Sequence, residues 1–281
     1  MARLVHLSDL HFGAHEERLV EAVEQHVDDI KPDLVVISGD FTQRARTEQF
    51  EQACEFLDRL RQRGHEVLAV PGNHDVPLYD VVRRFLSPLA RYRRFIDDTL
   101  CPFVELPGVA VLGINTARSL TFKDGRINEG QVDFIRDTFD RTSRDVFRIL
   151  VTHHPLFALP VGEQVEAPVG RQELALDAVS DAGVDLLLAG HTHHAASHDA
   201  SDLVTRAGGV LVVQAGTATS TRVRHQEQSF NTLEIGEQAV TVTIHTWNGV
   251  EFVPTDAQPY KYREGRWQIL KAEKPALNAG A

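Results

Sequence analysis

The sequence predicts an α/β fold in which two mixed sheets pack face to face with helices outside, forming a four-layer α-β-β-α sandwich. Short runs rich in Val, Ile and Leu alternate with segments whose apolar residues recur every three to four positions. The first pattern is typical of buried strands, and the second of helices that pack one face on a sheet. After about residue 200 the helical pattern stops, and strand-like segments joined by short turns follow one another.

Five strands are predicted in the first two thirds of the chain, each ending in polar or glycine residues. They cover residues 3–8, 33–38, 65–70, 147–152 and 184–189. Between the first three strands, apolar faces over 19–30 and 50–60 predict two helices. Pro32 and Gly64 mark the ends of these helices, because proline cannot continue a helix and glycine commonly terminates one.

The rest of the chain repeats the alternation more loosely. A strand is expected near 109–114, and Asn128 is positioned to cap a helix that carries Glu129 in its first turn. The dipeptide Asn248-Gly249 is a good signal for a hairpin between two of the later strands. These later strands are expected at 209–213, 229–235, 239–246 and 250–253.

We expect a single domain over residues 1–273, because no repeat with a period of about 20 to 50 residues and no low-complexity linker divides the chain. Within it, residues 78–100 form a cap-like helical excursion between strands, and residues 200–255 form a C-terminal β segment. Residues 274–281 are small and polar, as in a disordered tail.

Charge and composition restrict the partners. The formal net charge of -11 opposes binding to nucleic acids and to anionic membranes, because both are polyanions. No apolar run approaches the roughly 18 to 20 residues that span a bilayer, and polar residues interrupt the N-terminal run before a signal-peptide core could form. Two cysteines are too few for a disulfide framework. We therefore expect a cytoplasmic protein with no membrane partner, and a homodimer stays open.

Each of the five predicted strands runs directly into residues that can bind a metal ion. The carboxyl edge of an open α/β sheet is where such folds gather ligands. In two of the motifs a spacing of two residues places both side chains on the same side of an extended backbone. The five motifs are Asp9-Leu10-His11, Gly39-Asp40, Gly72-Asn73-His74-Asp75, His153-His154-Pro155 and Gly190-His191-Thr192-His193.

These motifs supply two carboxylates, four imidazoles and one amide oxygen as candidate metal ligands. The seven residues are Asp9, His11, Asp40, Asn73, His153, His191 and His193. Such a mixed nitrogen and oxygen set suits Mn, Fe, Zn or Co better than Mg or Ca. Seven ligands are too many for one tetrahedral zinc, but they fit two ions, about 3.5 to 4 Å apart, that share one carboxylate. We expect two divalent or trivalent metal ions as cofactors (Mn, Fe or Zn), with Mn and Fe favoured.

The ordered set of motifs over residues 9–193 resembles the calcineurin-like metallophosphoesterase superfamily, and within it the bacterial cyclic-nucleotide phosphodiesterase-like (class III) members. The resemblance implies that His74 faces the substrate, where it stabilises the transition state or protonates the leaving oxygen, and that Asp75 orients its ring. It also implies a first ion held by Asp9, His11 and His193, a second held by Asn73, His153 and His191, and Asp40 as the bridging ligand.

The expected activity is therefore hydrolysis of a small phosphate ester, a cyclic nucleotide or another small phosphodiester, by direct attack of a metal-bridging hydroxide. A broad-specificity phosphomono- or diesterase, a pyrophosphatase and a nuclease stay as alternatives. Related protein phosphatases have Gly-Asn-His-Glu, lipid A pathway pyrophosphatases typically carry Arg in place of His74, and DNA-end nucleases usually add capping and coiled-coil regions. The alternative of another class is a non-catalytic, partner-binding scaffold, which is opposed because every ligand position is filled.

Several residues near these motifs are candidates for substrate contacts. Arg44 stands four residues after Asp40, where the protein phosphatases of the superfamily carry a phosphate-binding arginine. Asn115, Arg118 and Arg222 follow predicted strand ends or turns. The basic cluster from Arg83 to Arg94 is either a solvated face or a cap that grips a phosphate. His154 and His194 each neighbour a candidate ligand and are expected to point away from it.

Overall fold

A computed structural model gives the fold of the protein. It describes residues 1–119, 124–143, 145–156, 160–161, 164–165, 170–191, 196–199, 209–221 and 227–270. The α-helices of these residues are α1 Glu17–Ile30, α2 Thr47–Gln62, α3 Val81–Leu86, α4 Ala90–Phe95, α5 Glu129–Asp140 and α6 Gln172–Asp181, and a 3₁₀ turn covers Asn73–Asp75.

The strands follow one another along the whole described chain and form two large sheets and one small one. In chain order they are β1 Ala2–Leu7, β2 Leu34–Ile37, β3 Val67–Ala69, β4 Phe103–Leu106, β5 Val109–Ile114, β6 Phe147–Thr152, β7 Pro160–Val161, β8 Gln164–Val165, β9 Leu186–Ala189, β10 Ala196–Asp199, β11 Leu211–Gln214, β12 Ser229–Gly236, β13 Ala239–Trp247, β14 Phe252–Arg263 and β15 Arg266–Ile269.

Both large sheets are mixed. The seven-stranded sheet has the order β15-β14-β13-β12-β1-β2-β3, and β1, β2 and β3 are parallel. The six-stranded sheet has the order β10-β11-β9-β6-β5-β4, with β11, β9, β6 and β5 parallel and an antiparallel strand at each edge. Because parallel strands end at a common edge, the loops after β1, β2 and β3 meet, as do the loops after β6 and β9.

Three apolar cores separate the four layers. Alternate residues of a strand face opposite sides of the sheet, so Leu4 of β1 packs between the two sheets while Val5 packs beneath the helices. The core between the sheets also contains Val36 from β2 and Val151 from β6. A second core joins the seven-stranded sheet to α1, α2 and α4, and a third joins the six-stranded sheet to α5 and α6. The predicted α-β-β-α sandwich is confirmed.

Most of the sequence-based boundaries agree with these elements to within a few residues. Asn128 caps α5 as expected, since its side chain accepts a hydrogen bond from the Gln131 amide at 3.0 Å. The last predicted strand, 250–253, is too short, because β14 runs on to Arg263. Pro254 and Pro259 made this extension hard to predict from the sequence, because proline within a segment argues against a strand. Both prolines lie on the part of β14 that β15 does not pair with, where a missing amide donor is tolerated.

The excursion between β3 and β4 is helical, as predicted, with α3 and α4 as its two short helices. Two of its arginines bind backbone carbonyls of neighbouring segments: Arg84 donates to Ser119 (2.7 Å) and Pro77 (2.9 Å), and Arg91 donates to Ala45 (2.7 Å). These two residues of the basic cluster therefore fasten the excursion to the rest of the molecule. Among the described residues, no helix combines the length and the apolar character needed to cross a bilayer.

Candidate metal centre

The loops after β1 and β2 are held together beyond the ends of the strands. The amide of Asp9 donates to the Gly39 carbonyl at 3.0 Å, and the amide of His11 donates to the Asp40 carbonyl at 2.9 Å. The loop after β3 is tied to them as well, since the His74 amide donates to Oδ1 of Asp40 at 2.8 Å. Backbone hydrogen bonds of this kind fix the loops, and with them the side chains that the loops carry.

The backbone of four candidate ligands is left-handed. Their φ angles are 52° at Asp9, 50° at His11, 55° at Asp40 and 72° at His191. Each such residue costs on the order of 1 kcal/mol or more, and these conformations cluster at functional sites. The sequence-based argument for Asp9 and His11 assumed an extended backbone and is wrong on that point. The two side chains nevertheless meet, with His11 Nε2 3.6 Å from Asp9 Oδ1.

One group of side chains surrounds the amide oxygen of Asn73. This oxygen lies 3.1 Å from Nε2 of His153 and 3.1 Å from Nδ1 of His191. Because Nδ1 of His153 donates to the Ser38 carbonyl at 2.7 Å, Nε2 is the ring nitrogen that points into the group. His154 also lies here and not on the opposite side as expected, with its ring centroid 4.8 Å from those of His153 and His191.

Asp40 connects the group around Asn73 to a second group of side chains, which contains His11. Its Oδ1 lies 3.4 Å from Nε2 of His153, and its Oδ2 lies 3.8 Å from Nε2 of His11. All three residues are at least 99% buried. A buried carboxylate that faces one imidazole with each oxygen is the arrangement that a ligand shared by two metal ions requires.

The distances fit the coordination shells of metal ions. Two atoms that each lie about 2.1 Å from one ion, at angles of about 90° to 110°, are about 3.0 to 3.4 Å apart. The measured separations run from 3.1 Å at Asn73 to 3.8 Å at His11, so little movement would be needed. The candidate metal-binding groups of the described residues are His153 with His154 and His191, His11 with Asp40 and His74, and Asp9 with Asp40 and His153.

The electrostatics favour a negative Asp40 and positive charge around it. Burial alone would raise the pKa of Asp40, but the imidazoles of His153, His74 and His11 hold it well below its usual range. Burial alone would lower the pKa of His153, but the Asp40 carboxylate raises it to about 9. A proton on His153 or a bound metal ion would stabilise the buried Asp40 carboxylate in the same way, because either places positive charge beside it.

His74 lies at the side of this cluster, with its ring 4.8 Å from that of His11 in an edge-to-face arrangement. Its Nδ1 donates to the Gln43 carbonyl at 2.8 Å, so Nε2 is the nitrogen available to a substrate. The expectation that Asp75 orients this ring is therefore wrong. The Asp75 carboxylate instead accepts from the amides of Gly72 and Thr42, both at 2.9 Å, and so joins the loops after β2 and β3.

Gly39 is required by the geometry of the centre. Its φ is +92°, and a Cβ there would lie 2.7 Å from Nδ1 of His153. The left-handed region is accessible to glycine at little cost. This position therefore combines a special backbone conformation with the close approach of a candidate ligand.

The remaining predicted site residues have different outcomes. His193, Arg222 and the neighbour His194 lie outside the described residues. Asn115 and Arg118 contact neighbouring protein groups: the Asn115 side chain accepts from the Ala117 amide at 2.9 Å, and the Arg118 guanidinium donates to the side chain of Gln131.

Two serines support the centre and were not predicted. Ser8 donates its hydroxyl to Oδ2 of Asp9 at 2.6 Å, and Ser38 supplies the carbonyl that orients His153. Each is the last residue of a predicted strand and precedes a ligand motif, so their position next to Asp9 and Gly39-Asp40 was the available signal. Hydrogen bonds of this kind commonly orient the ligands of metal sites.

Comparison with known proteins identifies the family. Residues 2–195 match the family described as calcineurin-like phosphoesterase. A probable cyclic nucleotide phosphodiesterase of Synechococcus sp. is 24% identical over 166 residues, which is 58% of this chain and 59% of the relative. The glycerophosphodiester phosphodiesterase GpdQ of Enterobacter lignolyticus is 31% identical over 83 residues, 26% of this chain and 29% of the relative.

A third relative has a different kind of activity in its name. The DNA double-strand break repair protein Mre11 of Methanopyrus kandleri is 33% identical over 86 residues, 26% of this chain and 19% of the relative. The chain thus spans between about a fifth and three fifths of the length of these curated relatives.

Solved structures support the fold. A purple acid phosphatase from yellow lupin has a TM-score of 0.69 at 14% identity, over 91% of this chain and 53% of that one. A dimetal phosphatase from Danio rerio has a TM-score of 0.62 at 14% identity, over 90% of this chain and 98% of that one. At these identities the likeness shows the shared fold alone.

Proposed function

Because this chain belongs to the calcineurin-like phosphoesterase family, a family of metal-dependent hydrolases of phosphate esters, we propose that it is a binuclear phosphodiesterase acting on small phosphodiesters, cyclic nucleotides among them. The observation that carries this proposal is the position of Asp40 between two groups of ligand atoms, with Oδ2 3.8 Å from His11 and Oδ1 3.4 Å from His153. Two ions, and not one, are needed to use all of these atoms.

The family resemblance supports one division of the ligands between the ions. Asp9, His11 and His193 would hold the first ion, and Asp40 would be shared; His11 Nε2 and Asp9 Oδ1 lie 3.6 Å apart. The second ion is assigned to Asn73, His153 and His191, whose nitrogen and oxygen atoms lie 3.1 Å apart in two pairs. Two carboxylates against two divalent cations leave a surplus of two positive charges, which suits an anionic phosphate.

Bound ions supply Lewis acidity, which offsets negative charge on phosphate oxygens and makes water a nucleophile at neutral pH. The chain itself orients the ligands. The Ser38 carbonyl holds the ring of His153, and the Ser8 hydroxyl holds the carboxylate of Asp9.

His74 is the proposed catalytic residue of the chain. With Nδ1 bonded to the Gln43 carbonyl at 2.8 Å, its Nε2 can donate a hydrogen bond or a proton to the leaving oxygen when the ring is protonated, and accept one when the ring is neutral. The net charge of -11 does not oppose such a substrate, because the bound ions would concentrate positive charge at the centre.

The preference for diesters draws on two relatives that are named as phosphodiesterases, whereas the relative named as a DNA repair protein keeps a nuclease as the second candidate. The net charge of -11 favours the small substrate over the polyanion.

The test is to strip the protein with a chelator, reconstitute it separately with Mn, Fe and Zn, and count bound ions by elemental analysis. Each form is then assayed against cyclic AMP, bis(p-nitrophenyl) phosphate, its monoester and a single-stranded DNA oligonucleotide. We expect two ions per chain and faster turnover of diesters than of the monoester. Equal or faster turnover of the monoester would overturn the diesterase proposal, and efficient cleavage of the oligonucleotide would favour the nuclease.

A further inference from the structure

We propose that Tyr79, supported by Arg44, is a specificity-determining residue that stacks on a planar ester group of the substrate, such as a nucleobase. This inference rests on the function proposed above and deepens it, because it specifies the kind of phosphodiester as a nucleoside or aromatic one. Cation–π contact joins the two residues, with Cζ of Arg44 5.7 Å from the centroid of the Tyr79 ring.

Both residues are connected to His74 by short stretches of chain that hydrogen bonds or burial hold in place. Arg44 directly follows Gln43, whose carbonyl accepts the hydrogen bond from Nδ1 of His74. The backbone of Arg44 is itself held, since its amide donates to Oε1 of Gln49 at 2.8 Å. Tyr79 stands five residues after His74, and the buried residues Val76 and Pro77 lie between them. The pair therefore lies beside the two loops that carry His74 and the carbonyl that orients it.

The exposure of Tyr79 leaves its ring available to a ligand. The residue is 72% exposed, which is unusual for a large aromatic side chain, and the guanidinium of Arg44 lies over one face of the ring. Stacking of one base on an aromatic side chain contributes about 1 to 3 kcal/mol, and every base offers a planar face for it. The ring can thus bind the part of the substrate that the metal ions do not reach.

Arg44 adds charge at the same place. Among the described residues it forms no ion pair with a carboxylate, and its guanidinium lies over the Tyr79 ring. A guanidinium can stack on an aromatic ring and still donate hydrogen bonds to a phosphate oxygen from its edge. One substrate could therefore contact Tyr79 with its planar group and Arg44 with its phosphate.

The surface beside Tyr79 is apolar. Val82, Phe85 and Leu86 of α3 are 70%, 54% and 81% exposed, and Leu78 is 40% exposed. Exposed apolar patches of this kind mark binding sites more often than chance. A second copy of the chain is the other occupant to consider, but the contact of Tyr79 with Arg44, next to the partner of His74, favours the substrate.

The experiment compares two diesters with the same leaving group, thymidine 5′-(p-nitrophenyl phosphate) and methyl p-nitrophenyl phosphate. For the metal-loaded wild type we expect the ratio of kcat/KM values to favour the nucleoside ester. Tyr79→Ala should lower that ratio about 5- to 150-fold, mainly through KM, and Tyr79→Phe should preserve it, since stacking needs the ring and not the hydroxyl. Arg44→Met should lower kcat/KM for both esters.

Calorimetric titration gives a readout that is independent of turnover. Tyr79→Ala should weaken the binding of thymidine 5′-monophosphate more than the binding of inorganic phosphate.

The matched control is Val250→Ala, an exposed apolar residue in the turn between β13 and β14 and outside the excursion, which should keep the wild-type ratio. An unchanged ratio in Tyr79→Ala would overturn the inference while leaving the proposed function intact, provided that the wild type hydrolyses both esters. Failure of the wild type to hydrolyse either ester would overturn both. Should Tyr79→Ala and Leu86→Ala lower the ratio alike and shift the sedimentation of the protein to a smaller species, the patch would be an interface between copies and the inference would be wrong.

Discussion

Gly72 and Asp40 are packed against each other so closely that a Cβ on Gly72 would lie 2.1 Å from Oδ1 of Asp40 and 2.3 Å from its amide nitrogen. The same carboxylate oxygen accepts the His74 amide and faces His153. Gly72 has an ordinary negative φ of -102°. The position therefore requires glycine because there is no room for a side chain, and not because of its backbone conformation. The position of the candidate bridging ligand thus depends on the absence of a side chain from a different loop.

Gly72→Ala should displace the Asp40 carboxylate, because a Cβ cannot lie 2.1 Å from its oxygen and the adjacent backbone is held by the strained loop. We expect a loss of bound metal and a drop of at least about tenfold in kcat/KM, since misplacing a group of the site by about 1 Å can cost about 100-fold. Elemental analysis and diester kinetics measure these effects. Gly130→Ala in α5, where a Cβ meets only ordinary contacts, is the control and should bind metal like the wild type.

Asp40→Asn should deplete both ions. The amide keeps the shape of the side chain but removes the negative charge shared between the two groups of ligands, and metal affinity depends on that charge. Elemental analysis after dialysis is the measurement, and Asp133→Asn, at an exposed carboxylate of α5, is the matched control. Two tightly bound ions in Asp40→Asn would contradict the assignment of Asp40 as the shared ligand.

His74→Ala should retain both ions and lose about 10² to 10⁴ in kcat, the range expected when a general acid or base is removed. The reason is that the His74 side chain bonds to the Gln43 carbonyl through Nδ1 and offers Nε2 to the substrate. Parallel measurement of metal content and turnover separates the two roles. A variant that has lost one ion would show that His74 is a ligand, a reading that its grouping with His11 and Asp40 allows.

The buried pair of His245 and His26 should lower the stability of the protein as pH decreases from about 6.5 to 4. Burial lowers the pKa of His245 to about 4, helped by the neighbouring His26, whose own pKa is also lowered by burial despite the charges of Asp29 and Glu251. The unfolded chain therefore binds protons in this range that the folded chain does not, so the free energy of unfolding decreases with falling pH. Denaturant titrations at several pH values measure the slope.

His245→Gln is the variant that isolates this contribution. Without the imidazole, the dependence of unfolding free energy on pH between 4 and 6.5 should weaken by up to one proton, which corresponds to about 1.4 kcal/mol per pH unit. His15→Gln, at a histidine outside this buried pair, serves as the control. An unchanged slope in His245→Gln would show that other groups govern the acid response.

Much of the fold and of the site follows from local sequence patterns. The apolar periodicity of 19–30 and 50–60 predicts helices that the structure contains, because an amphipathic segment has one way to bury its apolar face. Asp9, Asp40, Asn73, His153 and His191 each follow a strand, and the parallel strands of each of the two sheets bring their ends to one edge of that sheet. The element types, their order and the residues that meet at the candidate centre could therefore be predicted.

The details that decide chemistry depend on contacts between distant segments. The left-handed backbone at Asp9 and His11, the carbonyl of Gln43 that orients His74, and the role of Asp75 in joining two loops all arise from hydrogen bonds between the loops after different strands. Local spacing carries no signal for such bonds. The pairing of Arg44 with Tyr79 has the same origin, because two residues 35 positions apart meet only once the loop after β2 and the excursion after β3 are packed together.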